Sequence, residues 1–512
     1  MRVVIALCFL AVFTGGCART GSNGPAVVLD GMEVVGHWTE DRGVAAFLGV
    51  PFAQPPLAER RFLPPEPLER MQSAVDATAF APACMQTDYM VDWYRELIAD
   101  FGGDPRGFAR PEFDENCLHL NVWTPDSEPD TPLPVMVWIH GGGYRGGWSF
   151  EPNYIGDALA ARGVVVVSIA YRVDVFGFLA HPAFDVSNPG LLDQVAALQW
   201  IRKNIGAFGG NPDNVTVFGE SAGGASIGYL LSMPAASGLF RRAIIQSAGY
   251  HLRYDDRRAD YAANWEQHDW PGRGERSTAE LQAIDADTWL AAADSVYPDY
   301  RPDATIDGIS LPESPASALA GNRFAAVDLM IGSNADEWRM YLDPDSDTAA
   351  VDEWLDRNAP EQRAAVYEML GEDPVRNLDR LITAWTFVCP SLELADAMHR
   401  RGANAYVYYF SRVRDSAFAR ELGAYHGAEI PYVFDKHDDW LPTDSIDREL
   451  TDTIMSYWVE FARTGDPNVD GLPDWPPWDG TEVLELGTEA QSTEHPERAL
   501  CETLRGSKSA GH

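Results

Sequence analysis

The chain has 512 residues, 46% of them hydrophobic and 23% charged, enough apolar material to bury a large core and too much for a disordered segment. Its 77 acidic side chains against 39 basic ones give a formal charge of -38, which argues against nucleic acid as a partner and favours neutral or cationic ligands over polyanions.

In chain order, Met1-Arg2 followed by the apolar run from Val3 to Phe13 reads as a secretion leader, too short to span a bilayer. The expected division is a signal peptide over 1–17 and one α/β catalytic domain over 25–505. Thr14-Gly15-Gly16-Cys17 also resembles a lipoprotein cleavage site, with Thr14 where Leu is usual, which makes Cys17 the candidate lipidation site and gives the protein a lipid anchor if it is modified. Either route makes the protein exported: secreted, periplasmic or anchored at the cell envelope.

Strand-like apolar runs follow at Val135 to Ile139, Val164 to Ile169, Val215 to Phe218, Ala243 to Gln246, Val327 to Ile331 and Ala405 to Phe410. They alternate with helical stretches such as Leu192 to Ile205 and Ile454 to Ala462. Several runs are apolar throughout, as strands covered on both faces must be. The expected fold class is α/β: a large mixed, mostly parallel sheet flanked by helices.

Two of these runs lead into glycine-rich turns. Val215 to Phe218 is followed by Gly219-Glu220-Ser221-Ala222-Gly223-Gly224, a G-x-S-x-G sequence in the strand-to-turn setting of a nucleophile elbow, with Ser221 as the attacking hydroxyl. Small flanks expose that hydroxyl, and the turn aims the Ala222 N–H, at a helix N-terminus, toward the negative oxygen of a tetrahedral intermediate. About 80 residues upstream, Val135 to Ile139 leads into His140-Gly141-Gly142-Gly143-Tyr144, an HGGG oxyanion loop whose Gly142 and Gly143 N–H groups complete the expected hole.

A serine nucleophile needs a base, and the base needs an acid; in this architecture the order is Ser, acid, His. The best base is His426, in the small-residue loop Gly423-Ala424-Tyr425-His426-Gly427. Gly332-Ser333-Asn334-Ala335-Asp336-Glu337 follows a strand and offers two adjacent carboxylates, which spacing alone does not separate. Neither an HExxH zinc motif nor a convincing nucleotide-binding glycine loop is present, so no metal or organic cofactor is expected.

Several pieces, in order, carry a resemblance. Gly49-Val50-Pro51-Phe52-Ala53-Gln54-Pro55-Pro56 with Arg61-Phe62, then Glu115-Asn116-Cys117-Leu118-His119-Leu120-Asn121-Val122, then Asn188, Gly190-Leu191-Leu192-Asp193-Gln194, Phe208-Gly209-Gly210 and Asn211-Pro212 lead into the elbow as they do in type B carboxylesterases, the family of the cholinesterases, which have the α/β-hydrolase fold. The resemblance runs almost end to end. It implies a serine carboxylesterase working through an acyl-enzyme on small or aromatic esters, with Glu337 rather than Asp336 as the third triad member and Glu220 as a site-supporting carboxyl. Asn116 and Trp338 depart from the family pattern, where Asp and Gly are more common.

With Cys8 and Cys17 set aside, four cysteines remain, and three pairings are open. Local order favours Cys84 with Cys117 and Cys389 with Cys501, and the resemblance implies the same two bridges. Tyr144, Trp148 and Trp338 are the candidate pocket residues, and Tyr89, Trp93, Tyr94 and Phe101 are further aromatics that either line a gorge or fill core. The expected partner is a small-molecule ester, and the expected state a monomer or weak dimer. The alternatives within the fold are a specialised esterase, lipase or amidase, or a noncatalytic interaction protein, which would be expected to have lost a triad member.

Overall fold

The computed structural model describes residues 24–505 except 41, 69, 71–72, 253–267, 269 and 297–301. The leader expected over 1–17, with Cys17, lies outside the described residues. A central sheet of eleven strands organises the chain. In chain order these are β1 (His37–Trp38), β2 (Ala45–Pro51), β3 (His119–Thr124), β4 (Leu133–Ile139), β5 (Val165–Ile169), β6 (Gly210–Glu220), β7 (Arg242–Gln246), β8 (Asp328–Asn334), β9 (Ala405–Phe410), β10 (Glu482–Leu486) and β11 (Ala490–Glu494). Across the sheet the order is β11-β10-β9-β8-β7-β6-β4-β5-β3-β2-β1. The pairings from β10 through to β5 are parallel, and the outer ones are antiparallel.

The parallel strands are apolar because helices cover both faces. Every residue of β5 and of β7 is buried, and alternate side chains feed two separate cores. Val135, Val137, Val165, Val167, Val217 and Ile245 enter the core on one face. Met136, Trp138, Val166, Phe218 and Ile244 enter the core on the other, where Trp138 meets the rings of Phe218 and Phe434. The helices that matter for the site are α1 (Tyr89–Asp100), α2 (Pro189–Asn204), α3 (Ala222–Ser232), α4 (Pro374–Thr383), α5 (Cys389–Arg400) and α6 (Ser445–Thr464). Among the described residues no helix is long and apolar enough to cross a membrane.

Cys84 is bonded to Cys117 and Cys389 to Cys501. The first bridge closes the loop that contains α1; the second ties the C-terminal helix Arg498–Leu504 to the start of α5.

Candidate active site

The site sits where β6, β8 and the loop after β9 end. Strand β6 stops at Glu220 and α3 starts at Ala222, so Ser221 alone makes the turn, with φ +53°. A non-glycine residue there is strained by on the order of 1–3 kcal/mol. The turn holds because its neighbours over-determine it: the Ser221 N–H donates to the Gln246 carbonyl at 2.9 Å, and its carbonyl accepts from Ala225 N–H at 2.8 Å. The glycine at 223 is forced by packing, since a Cβ there would lie 1.9 Å from the Ile139 carbonyl oxygen.

Strand β4 delivers the glycine loop beside this turn. Gly142 and Gly143 have φ of +101° and +62°, and both face the cavity above Ser221. The loop is folded on itself by N–H donation from Arg145 and Gly146 to the Gly142 carbonyl. His140 is buried beneath it, stacked on Tyr171, and burial lowers its pKa to about 4, which leaves it neutral.

The Ser221 hydroxyl donates to His426 Nε2 at 2.8 Å, and His426 Nδ1 donates to Glu337 Oε2 at 2.6 Å. Glu337 is fully buried, and its other oxygen accepts the Asn334 N–H at 2.7 Å. The adjacent carboxylate goes elsewhere. Asp336 Oδ2 accepts the Ala424 N–H at 2.9 Å, and a bridge pairs Asp336 with Tyr425, so it anchors the loop that carries His426.

Two further carboxyls crowd the histidine. Glu220 Oε1 lies 3.3 Å from His426 Nε2, and its other oxygen packs against the glycine loop, where a Cβ added at position 141 would stand 2.9 Å from it. Glu429 is buried, accepting from Gln246 Nε2 at 3.0 Å and Asn334 Nδ2 at 2.7 Å. Burial pushes the Glu220 carboxyl up to about 8; His426 opposes this, while Glu429, Glu337 and Glu151 add to it. Burial alone would lower His426, but Glu220, Glu337 and Glu429 outweigh it and hold the imidazole above its ordinary range. A histidine so placed can take a proton from Ser221, keep it while an oxyanion forms, and return it to a leaving group.

A cavity of about 470 Å³ opens on Ser221. Tyr144 and Trp338 line it, together with Tyr89, Trp93 and Tyr94 of α1. One expectation needs correction. Trp148 is buried among Tyr94, Phe108 and Phe113, behind the wall rather than on it. Phe101, which the sequence leaves open between gorge and core, packs on Phe418, Tyr425 and Trp440. Both are drawn into core by neighbours distant in sequence. Sequence reasoning also missed Tyr341 and Phe387, whose rings lie 6.3 and 5.4 Å from the His426 ring, and the Gln246–Glu429–Asn334 network. The one available signal was Glu429, three residues beyond the candidate base. Among the described residues no group of three or more His, Cys, Asp or Glu is placed to hold a metal ion.

A serine presented between strand and helix at the end of a largely parallel sheet, facing a histidine from a later loop, is the architecture of an α/β-hydrolase. Comparison with known proteins narrows the class. A family model described as the Carboxylesterase family matches residues 26–504. The chain is 36% identical over 498 residues to the para-nitrobenzyl esterase of Bacillus subtilis (strain 168), covering 92% of this chain and 96% of that protein. It is 36% identical over 500 residues to a liver carboxylesterase of Sus scrofa, covering 88% and 86%. A solved structure titled PNB esterase superposes with a TM-score of 0.79 at 34% identity, covering 94% of this chain and 99% of that one. The chain belongs to the type B, cholinesterase-like carboxylesterase family and acts on carboxylic esters.

Proposed function

We propose that Ser221 is the nucleophile, His426 the general base and acid, and Glu337 the residue that orients and charge-stabilises the imidazole. Attack of Ser221 on the ester carbonyl sends its proton to His426. The N–H groups of Gly142, Gly143 and Ala222 receive the oxyanion, and the alcohol leaves with the proton from His426. Water, activated by the same base, then releases the acid from the acyl-enzyme. The observation that carries this reading is the line of hydrogen bonds from Ser221 through His426 to Glu337. Glu220 supports the site without belonging to the line.

The ring-lined cavity of about 470 Å³ favours small or aromatic esters. Export behind a leader over 1–17, with one catalytic domain over 25–505 and a lipid anchor if Cys17 is modified, accords with two disulfides, which persist in oxidising compartments. Among the described residues the exposed large apolar side chains number only Val28, Trp38, Leu57, Phe80, Ile309 and Tyr341, which favours a monomer or weak dimer. The test is hydrolysis of para-nitrophenyl esters from acetate to palmitate by the mature protein and by Ser221→Ala. Serine-dependent turnover that peaks at short acyl chains supports the reading; turnover independent of Ser221 contradicts it.

A further inference from the structure

Helix α1 forms one wall of the cavity, yet it belongs to the Cys84–Cys117 loop and not to the sheet that presents Ser221. Two clasps tie this loop to the segment that follows the oxyanion glycines. In the first, Gln86 Nε2 donates to the Gly147 carbonyl and Gln86 Oε1 accepts the Gly147 N–H, both at 2.8 Å. In the second, the Tyr94 hydroxyl donates to Glu151 Oε2 at 2.5 Å while Glu151 Oε1 accepts the Trp148 N–H at 3.0 Å. One carboxyl thus holds the wall with one oxygen and the oxyanion segment with the other.

Glu151 is 1% exposed and does not line the cavity, whereas Tyr94, Tyr154 and Asn153 do, and Asn153 Nδ2 donates to the Tyr94 oxygen at 3.2 Å. Burial pushes the Glu151 carboxyl up to about 7, with Tyr94 and the Trp148 N–H holding it back. An acid kept in such a place is costly unless its bonds are needed, and no step of the ester reaction uses it. The side of the site that it serves follows from His426. The departing alcohol oxygen takes its proton from Nε2, Glu220 lies 3.3 Å from that nitrogen, and Tyr94 and Tyr154 line the same cavity as Glu220, Ser221 and His426. The two rings thus wall the cavity into which the alcohol departs.

We infer that Glu151 is a positioning residue: by clamping Tyr94 to the oxyanion segment it fixes the α1 wall relative to the reacting carbonyl and sets how large an alcohol the site accepts. The inference rests on the reading that Ser221 is the nucleophile. Its test compares kcat/KM for 1-naphthyl acetate and ethyl acetate, which yield the same acetyl-enzyme, in the wild type, Tyr94→Phe, Glu151→Leu and Glu151→Gln. The naphthyl-to-ethyl ratio is expected to fall about tenfold in Tyr94→Phe and Glu151→Leu, because the wall is no longer fixed. In Glu151→Gln, whose oxygen can accept the Trp148 N–H while its amide N–H donates to the Tyr94 oxygen, it should stay within about threefold of wild type. Tyr94→Phe removes one oxygen only and keeps the assay decisive if Glu151→Leu does not fold. A wild-type ratio in Tyr94→Phe, or a Glu151→Gln ratio as low as that of Glu151→Leu, overturns the inference. Failure of the underlying reading looks different: undiminished turnover of both esters by Ser221→Ala.

Discussion

Glu220 stands 3.3 Å from the Nε2 of His426, the same nitrogen that accepts the Ser221 hydroxyl at 2.8 Å. The residue that precedes the proposed nucleophile therefore touches the proposed base directly, and the charge of each bears on the other. An anionic Glu220 stabilises the imidazolium; a protonated one does not.

Replacing Glu220 by Gln removes a negative charge that favours protonated His426. The pKa of the base falls, so the neutral imidazole survives to lower pH. The acid limb of the kcat/KM profile is expected to move down by about one pH unit, measured on a short-chain para-nitrophenyl ester between pH 5 and 10. An unchanged or upward-shifted limb would mean that Glu220 does not act on His426 through its charge.

The two adjacent carboxylates at 336 and 337 should separate cleanly. Glu337→Gln leaves the imidazole in the wrong tautomer and should lower kcat by about 10³–10⁴ with the fold intact. Asp336→Asn loses part of a loop anchor to Ala424 and should stay within about tenfold of wild type. Steady-state kinetics with circular dichroism decide, and equal losses would remove Glu337 from its assigned role.

How much of this was legible in the sequence follows the range of the interactions. Strand β9 was read at the bounds the structure gives it, and β5 and β7 to within one residue, because an apolar run covered on both faces is a local pattern. Helix α6 was read only from Ile454, since its first turns present Arg448, Glu449 and Asp452 to solvent and are fixed by the Asp444–Asp447 capping box. Ser221 and the glycine loop were visible because a tight turn restricts which residues fit. Glu337 and Asp336 were not separable without the resemblance, because what distinguishes them is a contact with His426, 89 positions away. The partners of Glu429 and Glu151, and the turn of Trp148 and Phe101 into core, depend on which elements pack together, and no local pattern encodes that.

The Cys389–Cys501 bridge closes a separation of 112 residues. Removing it as Cys389→Ala/Cys501→Ala releases loop entropy in the unfolded chain and is expected to cost about 2–5 kcal/mol of stability. Urea unfolding of oxidised wild type against the double variant measures it; equal midpoints would show the bridge to be thermodynamically silent.

Asp447, within the first turn of α6, accepts from Arg412 Nε at 2.8 Å and from the Tyr432 hydroxyl at 2.6 Å. Burial would raise its pKa, but these bonds, the Asp444 N–H and the Arg414 charge hold it down at about 2. Because the folded pKa lies below the unfolded value near 3.9, the stabilisation is full above about pH 4 and is lost as pH falls toward 2. Asp447→Asn should cost about 2 kcal/mol at pH 7, because Arg412 keeps only the more exposed Asp444 as an ion-pair partner, and should flatten the acid side of the stability curve. A variant as stable as wild type at pH 7 would contradict this.

The central claim, that Ser221 is the nucleophile activated by His426, is tested most directly by intact-mass spectrometry after reaction with a fluorophosphonate, which phosphonylates an activated serine. The account predicts one adduct per chain, mapped to Ser221, absent in Ser221→Ala and formed at least about a hundredfold more slowly in His426→Ala. An adduct on another residue, or labelling of Ser221→Ala at the wild-type rate, would contradict it.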